Sequence, residues 1–229
     1  MKKILSVYVV AYLILLFTIL GMLYVYPKLE LHLMLNSHHT GIQDTFFPYF
    51  SILAEGPLYV LALLPMLWKK FRLPLFFALC ELSAGTILQV LKHIISHPRP
   101  VSAFEEYSDA VLPVVQGVDL HHSNSFPSGH ASTFFVFCTC CVLLLAYRYG
   151  QRARQNSQES CILPCVLAVL LVAFAALGAY SRIYLSQHFL SDVCVGSIIG
   201  VVTPLLMFYF FGQKILKLGA ESHHVPQIE

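Results

Sequence analysis

Apolar residues run along this chain in long blocks, not in alternation and not on a single helical face. Six blocks, at about 4–26, 52–68, 74–91, 131–148, 162–180 and 191–211, approach the roughly 20 mostly apolar residues that a helix needs to cross a bilayer. The pattern predicts an all-α fold, an integral membrane bundle of six transmembrane helices, in a single domain over residues 1–229. The second block is short and holds Pro57 and Pro65, which blurs its ends. Lys2 and Lys3 ahead of the first block suit the start of a signal peptide. That block is too long for one and no small-x-small cleavage site follows, so it is read as a helix. No internal repeat or low-complexity segment interrupts the chain.

Composition strengthens this reading. Hydrophobic residues make up 57% and charged residues 11% of the chain, against about 25% charged in an average soluble domain. A net charge of +2 gives no electrostatic case for nucleic acid. The seven cysteines, at 80, 138, 140, 141, 161, 165 and 194, lie in or beside apolar blocks. They read as small packing residues, not as a disulfide framework or a zinc site.

The basic residues set an orientation. With the N- and C-termini cytoplasmic, that side receives Lys2, Lys3, Lys69, Lys70, Arg72, Arg148, Arg152, Arg154, Lys214 and Lys217, ten of the 14 Lys and Arg. This is the bias that the positive-inside rule requires. The outer segments are then about 27–51, 92–130 and 181–190. The first is expected to lie along the membrane surface, with Asn36-Ser37-His38-His39 as a solvated turn. Four cations remain outside, Lys28, Lys92, Arg99 and Arg182, and three of them belong to one pattern.

That pattern consists of Lys92-x6-Arg99-Pro100, then Pro127-Ser128-Gly129-His130, then Ser181-Arg182-x5-His188-x3-Asp192. Singly, each has an ordinary explanation: snorkelling cations, a turn opening a helix, an exposed i, i+4 pair. Jointly they fix eleven positions, and chance matching at one in twenty per position gives odds of roughly 10⁻¹⁴ before searching. Alternation of the helices also puts all three on one side of the membrane.

Their chemistry suits a phosphate ester. Lys92, Arg99 and Arg182 supply three cations, and the arginines are able to grip phosphate oxygens in a fork. Ser128, Gly129 and His130 open the fourth helix, whose free N–H groups favour an anion, while Gly129 permits close backbone approach. His188 and Asp192 share a helical face, so the carboxylate is placed to hold one ring nitrogen while the other attacks phosphorus. His130 is left as the acid for the leaving oxygen and as the base for water in a second step. This inventory requires no metal and no cofactor.

These motifs resemble those of the type 2 phosphatidic acid phosphatase superfamily, which shares its site with vanadium-dependent haloperoxidases and glucose-6-phosphatase. The resemblance runs from about Leu75 to the sixth helix, with core motifs inside 75–211 and no motif position substituted. It implies a helical bundle and metal-independent hydrolysis of a phosphate ester through a phosphohistidine at His188. By the same resemblance Lys92, Arg99, Ser128, Gly129 and Arg182 hold phosphate, His130 is the acid and Asp192 orients His188. The apolar composition favours the lipid phosphatase branch, placed as a multi-pass protein in a bacterial inner membrane with a periplasmic active site. Lipid A phosphate or undecaprenyl pyrophosphate leads among the substrates, with phosphatidylglycerophosphate and phosphatidate as alternatives.

Other features are weaker. Glu55 is placed either near Lys92 or in the headgroup zone, and Glu81 is expected to pair across the bundle or stay protonated. Residues 101–125 form a long loop suited to capping the site. His121-His122 lacks further spaced metal ligands, and the tail after Lys217 is expected to be unstructured. A membrane transporter is the rival from another class, but it calls for charges near the midplane and paired broken helices. A catalytically silent member has no need of His130, His188 and Asp192 together.

Overall fold

The computed structural model describes residues 1–67, 72–155 and 160–212. Among them are nine α-helices and no strand: α1 Lys2–Val25, α2 Lys28–Asn36, α3 Gly41–Ile52, α4 Pro57–Leu67, α5 Arg72–Ile94, α6 Pro100–Tyr107, α7 Gly129–Gln155, α8 Ile162–Tyr184 and α9 Leu190–Met207. Lys69, Lys70 and the tail, on which sequence expectations also fell, lie outside the described residues.

Helix α7 is the axis of the bundle, packed against α9, α8, α5 and α1. Small residues set those contacts. Phe134 of α7 lies against Gly178 of α8, and Phe135 lies against Gly200 of α9, where an added Cβ would come within 2.5–2.6 Å of them. Apart from its buried stripe of Ile4, Tyr8 and Tyr12, α1 is exposed or half-buried. These residues are four apart and so share one face. Tyr8 Oη is 2.7 Å from Thr139 Oγ1 on α7, and Tyr12 Oη is 3.1 Å from Ser197 Oγ on α9. Each hydroxyl buried by this packing thereby has a partner. Cys80, Cys138, Cys140 and Cys194 are buried as free thiols, consistent with packing roles.

Among the described residues, five helices are long and apolar enough to cross a membrane: Lys2–Val25, Arg72–Ile94, Gly129–Arg154, Ile162–Tyr184 and Leu190–Gly212. The expected count of six differs at the second block. Its first residues extend α3 into the tight turn Leu53–Glu55, and Gly56 then breaks the helix at φ +131°. Gly56 tolerates that angle and Pro57 disfavours a helical residue before it. The 11 residues of α4 span about 16 Å, short of the hydrocarbon core, and the rest of the block lies outside the described residues. Glu81 pairs across the bundle as expected, accepting from Tyr59 Oη and Thr133 Oγ1 at 2.6 Å each.

The C-terminal ends of α5 and α8 and the N-terminal ends of α7 and α9 meet at one end of the bundle, where α2, α3 and α6 cover them. The turn expected to be solvated at 36–39 is so only at Ser37 and His38, which are exposed, while its two ends pack onto the bundle. Asn36 is fully buried, and His39 bridges Asn36 Oδ1 at 2.9 Å and Asp44 Oδ1 at 2.8 Å while stacking on Tyr184.

Candidate active site

The three sequence motifs converge at this covered end. Lys92 is half-buried in the last turn of α5. Arg99 stands at the N-cap of α6, with Pro100 at the first helical position, where proline is favoured. Ser128 immediately precedes α7, Arg182 lies in the last turn of α8, and His188 sits in the short link to α9.

Hydrogen bonds join these pieces directly. Ser128 N donates to the carbonyl of Asp192 at 3.0 Å, coupling the starts of α7 and α9. The Ser128 side chain accepts from Ala131 N at 3.4 Å. The carbonyl of Arg182 accepts from the N–H groups of Gln187 and His188 at 2.9 and 3.1 Å, which folds the link back on α8. Lys92, Arg99, Arg182 and His188 all act electrostatically on His130.

The arginines are held from outside their own motifs. Arg99 Nε donates to Ser123 O at 2.9 Å, and its Nη1 donates to Gln187 Oε1 at 2.9 Å and Gln187 O at 3.2 Å. Gln187 Nε2 donates in turn to Asp119 O at 2.8 Å. Arg182 Nη1 donates to Ser51 Oγ at 2.5 Å. Both guanidiniums are buried and keep donors beyond these contacts.

The His188–Asp192 relation departs from the expected hydrogen bond. Nδ1 of His188 is 3.8 Å from Oδ2 of Asp192, beyond hydrogen-bonding distance. That oxygen already accepts from Ser125 Oγ at 2.5 Å and from Phe189 N at 3.0 Å, and Oδ1 accepts from Ser191 Oγ at 3.1 Å. A contact of this kind often tightens only when substrate binds. Burial, reinforced by Arg99 and Arg182, pushes the His188 imidazole down to about 4 despite Asp192. The ring is therefore neutral near pH 7, with a lone pair to use. Nδ1 faces Asp192, which leaves Nε2 as the nitrogen open to attack.

Residues 101–125 carry more structure than a plain loop. They contain most of α6, and the segment is tied to the site through Ser123 O, Asp119 O and Pro113 O. Ser102 Oγ is 3.1 Å from His122 Nδ1. Pro113 O accepts from Asn36 Nδ2 at 3.1 Å and from Ser186 Oγ at 2.9 Å, and Asn36 Nδ2 also donates to Ser186 Oγ at 2.7 Å. Ser186 occupies φ 52°, a left-handed conformation that these contacts stabilise two residues before His188. Ser51, Asn36, Ser125, Ser186 and Gln187 carry no motif signal, and their roles emerge only with the fold. Glu55 is not assigned to Lys92; its Oε1 lies 3.2 Å from Nε2 of His130.

Residues 73–216 match the family model of the PAP2 superfamily. The chain belongs to the PAP2 superfamily. Among similar PAP2-type sequences is the dolichyldiphosphatase of Saccharomyces cerevisiae, 31% identical over 161 residues, covering 66% of this chain and 61% of that protein. The chain thus spans about three fifths of the yeast relative's length. The lipid A 4'-phosphatase of Bacteroides thetaiotaomicron is 26% identical over 200 residues, covering 81% of this chain and 79% of that protein. The crystal structure of Aquifex aeolicus LpxE superposes with a TM-score of 0.58 at 25% identity, covering 80% of this chain and 94% of that one.

Proposed function

We propose that this PAP2 protein is a membrane lipid phosphatase that hydrolyses a lipid phosphomonoester or lipid pyrophosphate through a phosphohistidine at His188. The observation that carries the reading is a buried, neutral His188 backed by Asp192 and set among Lys92, Arg99 and Arg182. A phosphate dianion placed there meets three cations in a site of low dielectric, where each counts for far more than in water.

In the first step Nε2 of His188 attacks phosphorus, and the bond from phosphorus to the lipid oxygen breaks. His130 gives that oxygen its proton, so the lipid leaves as a neutral alcohol or, from a pyrophosphate, as a lipid monophosphate. In the second step water attacks the phosphohistidine, and His130 takes back a proton. Inorganic phosphate departs and His188 returns to neutral. Asp192 stabilises the positive charge that the ring of His188 gains, as the third member of a triad does. At the start of α7 the Gly129 N–H and the Ser128 hydroxyl proton are offered to the phosphate oxygens, since the Ser128 N–H already donates to Asp192 O. Side chains supply every charge the sequence of steps needs, so the mechanism requires no metal.

The orientation of the basic residues supports a site on the non-cytoplasmic face, and the relatives named for lipid A and dolichyl diphosphate support a lipid substrate. A bacterial inner membrane, lipid A phosphate and undecaprenyl pyrophosphate fit both lines. Phosphatidylglycerophosphate and phosphatidate remain the alternative substrates. The test is phosphate release by detergent-purified protein across these lipids, with chelator present and with His188→Ala in parallel. Release that persists in chelator and vanishes in the variant is expected. No release from any lipid by folded protein would overturn the reading in favour of a carrier or a silent binding member.

A further inference from the structure

The mechanism uses His130 as an acid, yet nothing in its own motif fixes its ring. The contact that does so comes from a different part of the chain. Oε1 of Glu55 lies 3.2 Å from Nε2 of His130, across 75 positions of sequence. The segment delivering Glu55 is anchored on both sides. Ser51, one turn earlier, receives the Arg182 Nη1 donor, and Phe50 stacks on Phe134 of α7 with centroids 5.5 Å apart. Gly56 ends the tight turn immediately after Glu55 at φ +131°. The Glu55 side chain is 58% exposed against 24% for His130, so its carboxylate stays solvated while it reaches the ring.

The other charged and titratable groups acting on His130 are Arg182 of α8, His188, Arg99 and Lys92 of α5, all cationic or neutral. Among the described residues Glu55 is therefore the carboxylate within hydrogen-bonding distance of the acid. A cationic imidazole placed beside three fixed cations is held poorly unless an anion opposes them.

We propose that Glu55 is a positioning residue for His130, accepting its Nε2–H and fixing the ring so that Nδ1 delivers the proton to the leaving oxygen. This inference rests on the phosphatase reading above. In the balanced step, imidazolium Nδ1–H passes to the ester oxygen as the phosphorus–oxygen bond breaks and the His188–phosphorus bond forms. Neutral His130 then keeps Nε2–H on Glu55, and Nδ1 receives the proton of the attacking water.

Leaving-group dependence separates this role from a structural one. A lipid alkoxide must be protonated as it departs, whereas p-nitrophenolate departs readily without a proton. Glu55→Gln and Glu55→Ala are expected to lower kcat on an alkyl lipid phosphate by about 10- to 100-fold, a part of what general acid catalysis supplies. Turnover of p-nitrophenyl phosphate is expected to change by less than about threefold. The ratio of the two rates is read within one preparation, so partial misfolding cancels from it. An equal loss on both substrates, or a rise in KM with kcat unchanged, overturns the role of Glu55. Wild-type kcat for both variants overturns it as well. If wild-type protein turns over neither compound, the phosphatase reading itself falls and the inference with it; activity in wild type with an unchanged ratio in the variants sinks the inference alone.

Discussion

Replacing Gly196 with alanine is expected to damage catalysis from outside the site. Gly196 and Gly200 are four apart on α9 and form a small-residue stripe against α7, a packing device common between membrane helices. At Gly200 an added Cβ would lie 2.6 Å from both Phe135 Cβ and Ser132 O, where ordinary contact begins at 3.4 Å. The helices must therefore separate by about 0.8 Å there, at an overpacking cost of about 1–3 kcal/mol. At Gly196 the added atom would press still closer, on the carbonyl of Ser128, which is backbone and unable to swing aside. Helix α7 is trapped on its other flank by Phe134 against Gly178, so α9 gives way. That movement opens the 3.0 Å bond from Ser128 N to Asp192 O and draws the His188–Asp192 unit from the phosphate-binding turn. A misplacement of about 1 Å in a catalytic group costs on the order of 100-fold. Gly196→Ala should lose about 100-fold in kcat/KM, while Gly200→Ala, a turn further from the site, should lose comparable stability and less activity. Gly85→Ala, with nothing within 4 Å of the added atom, is the control and should match wild type. Phosphate release and thermal melting of the three variants in detergent test this. Wild-type activity in Gly196→Ala would refute the coupling of helix spacing to the site.

Further predictions address Asp192, acidity and topology. Asp192→Asn should cut turnover severely but less than His188→Ala, because the imidazole remains; Ser125→Ala should destabilise by about 1–3 kcal/mol through the lost bond to a buried carboxylate. Full activity in Asp192→Asn, or an unchanged melt in Ser125→Ala, would contradict these roles. Burial holds the imidazoles of both His32 and His188 down at about 4, below the ordinary value near 6.5. Between those pH values the unfolded chain binds protons that the folded chain does not, so stability falls as pH drops through that window, by about 1.4 kcal/mol per pH unit for each group. His32→Phe should flatten the slope of melting temperature against pH between about 4.5 and 6; an unchanged slope would remove His32 from the account. A reporter fused after Ala103 should read as outside the cytoplasm, and a cytoplasmic signal would invert the orientation.

Much of the site was legible because its chemistry is written in short local spacings. His188 and Asp192 are four positions apart across the start of α9, Ser128 to His130 are contiguous, and Lys92 and Arg99 flank a helix end. What sets their geometry was not legible, since Ser51, Asn36 and Glu55 reach Arg182, Ser186 and His130 across 131, 150 and 75 positions. No periodicity encodes such pairings. The expected bond between Asp192 and His188 is absent for a related reason: Ser125 and Phe189 N occupy the same oxygen, and Ser125 gave no signal of this in its own neighbourhood. In the fold, apolar blocks located the starts of the long helices within two residues, while α7 runs on to Gln155 through polar residues that hydropathy left out. The second block stands apart from the other five because hydropathy ignores backbone geometry: Gly56-Pro57 divides it, and its end lies outside the described residues. The outer segment 27–51 looked like a surface helix because its apolar residues suit both lipid and the bundle end that α2 and α3 cover.

Chemical trapping of the intermediate tests the central claim most directly. Wild-type protein is mixed with lipid labelled in its terminal phosphate, quenched with alkali within the first turnover, and the labelled peptide is sequenced. The account predicts an alkali-stable, acid-labile phosphohistidine at residue 188, absent from His188→Ala. Label on another residue, or steady turnover with no trapped phosphoenzyme under conditions where phosphohistidine survives, would contradict it.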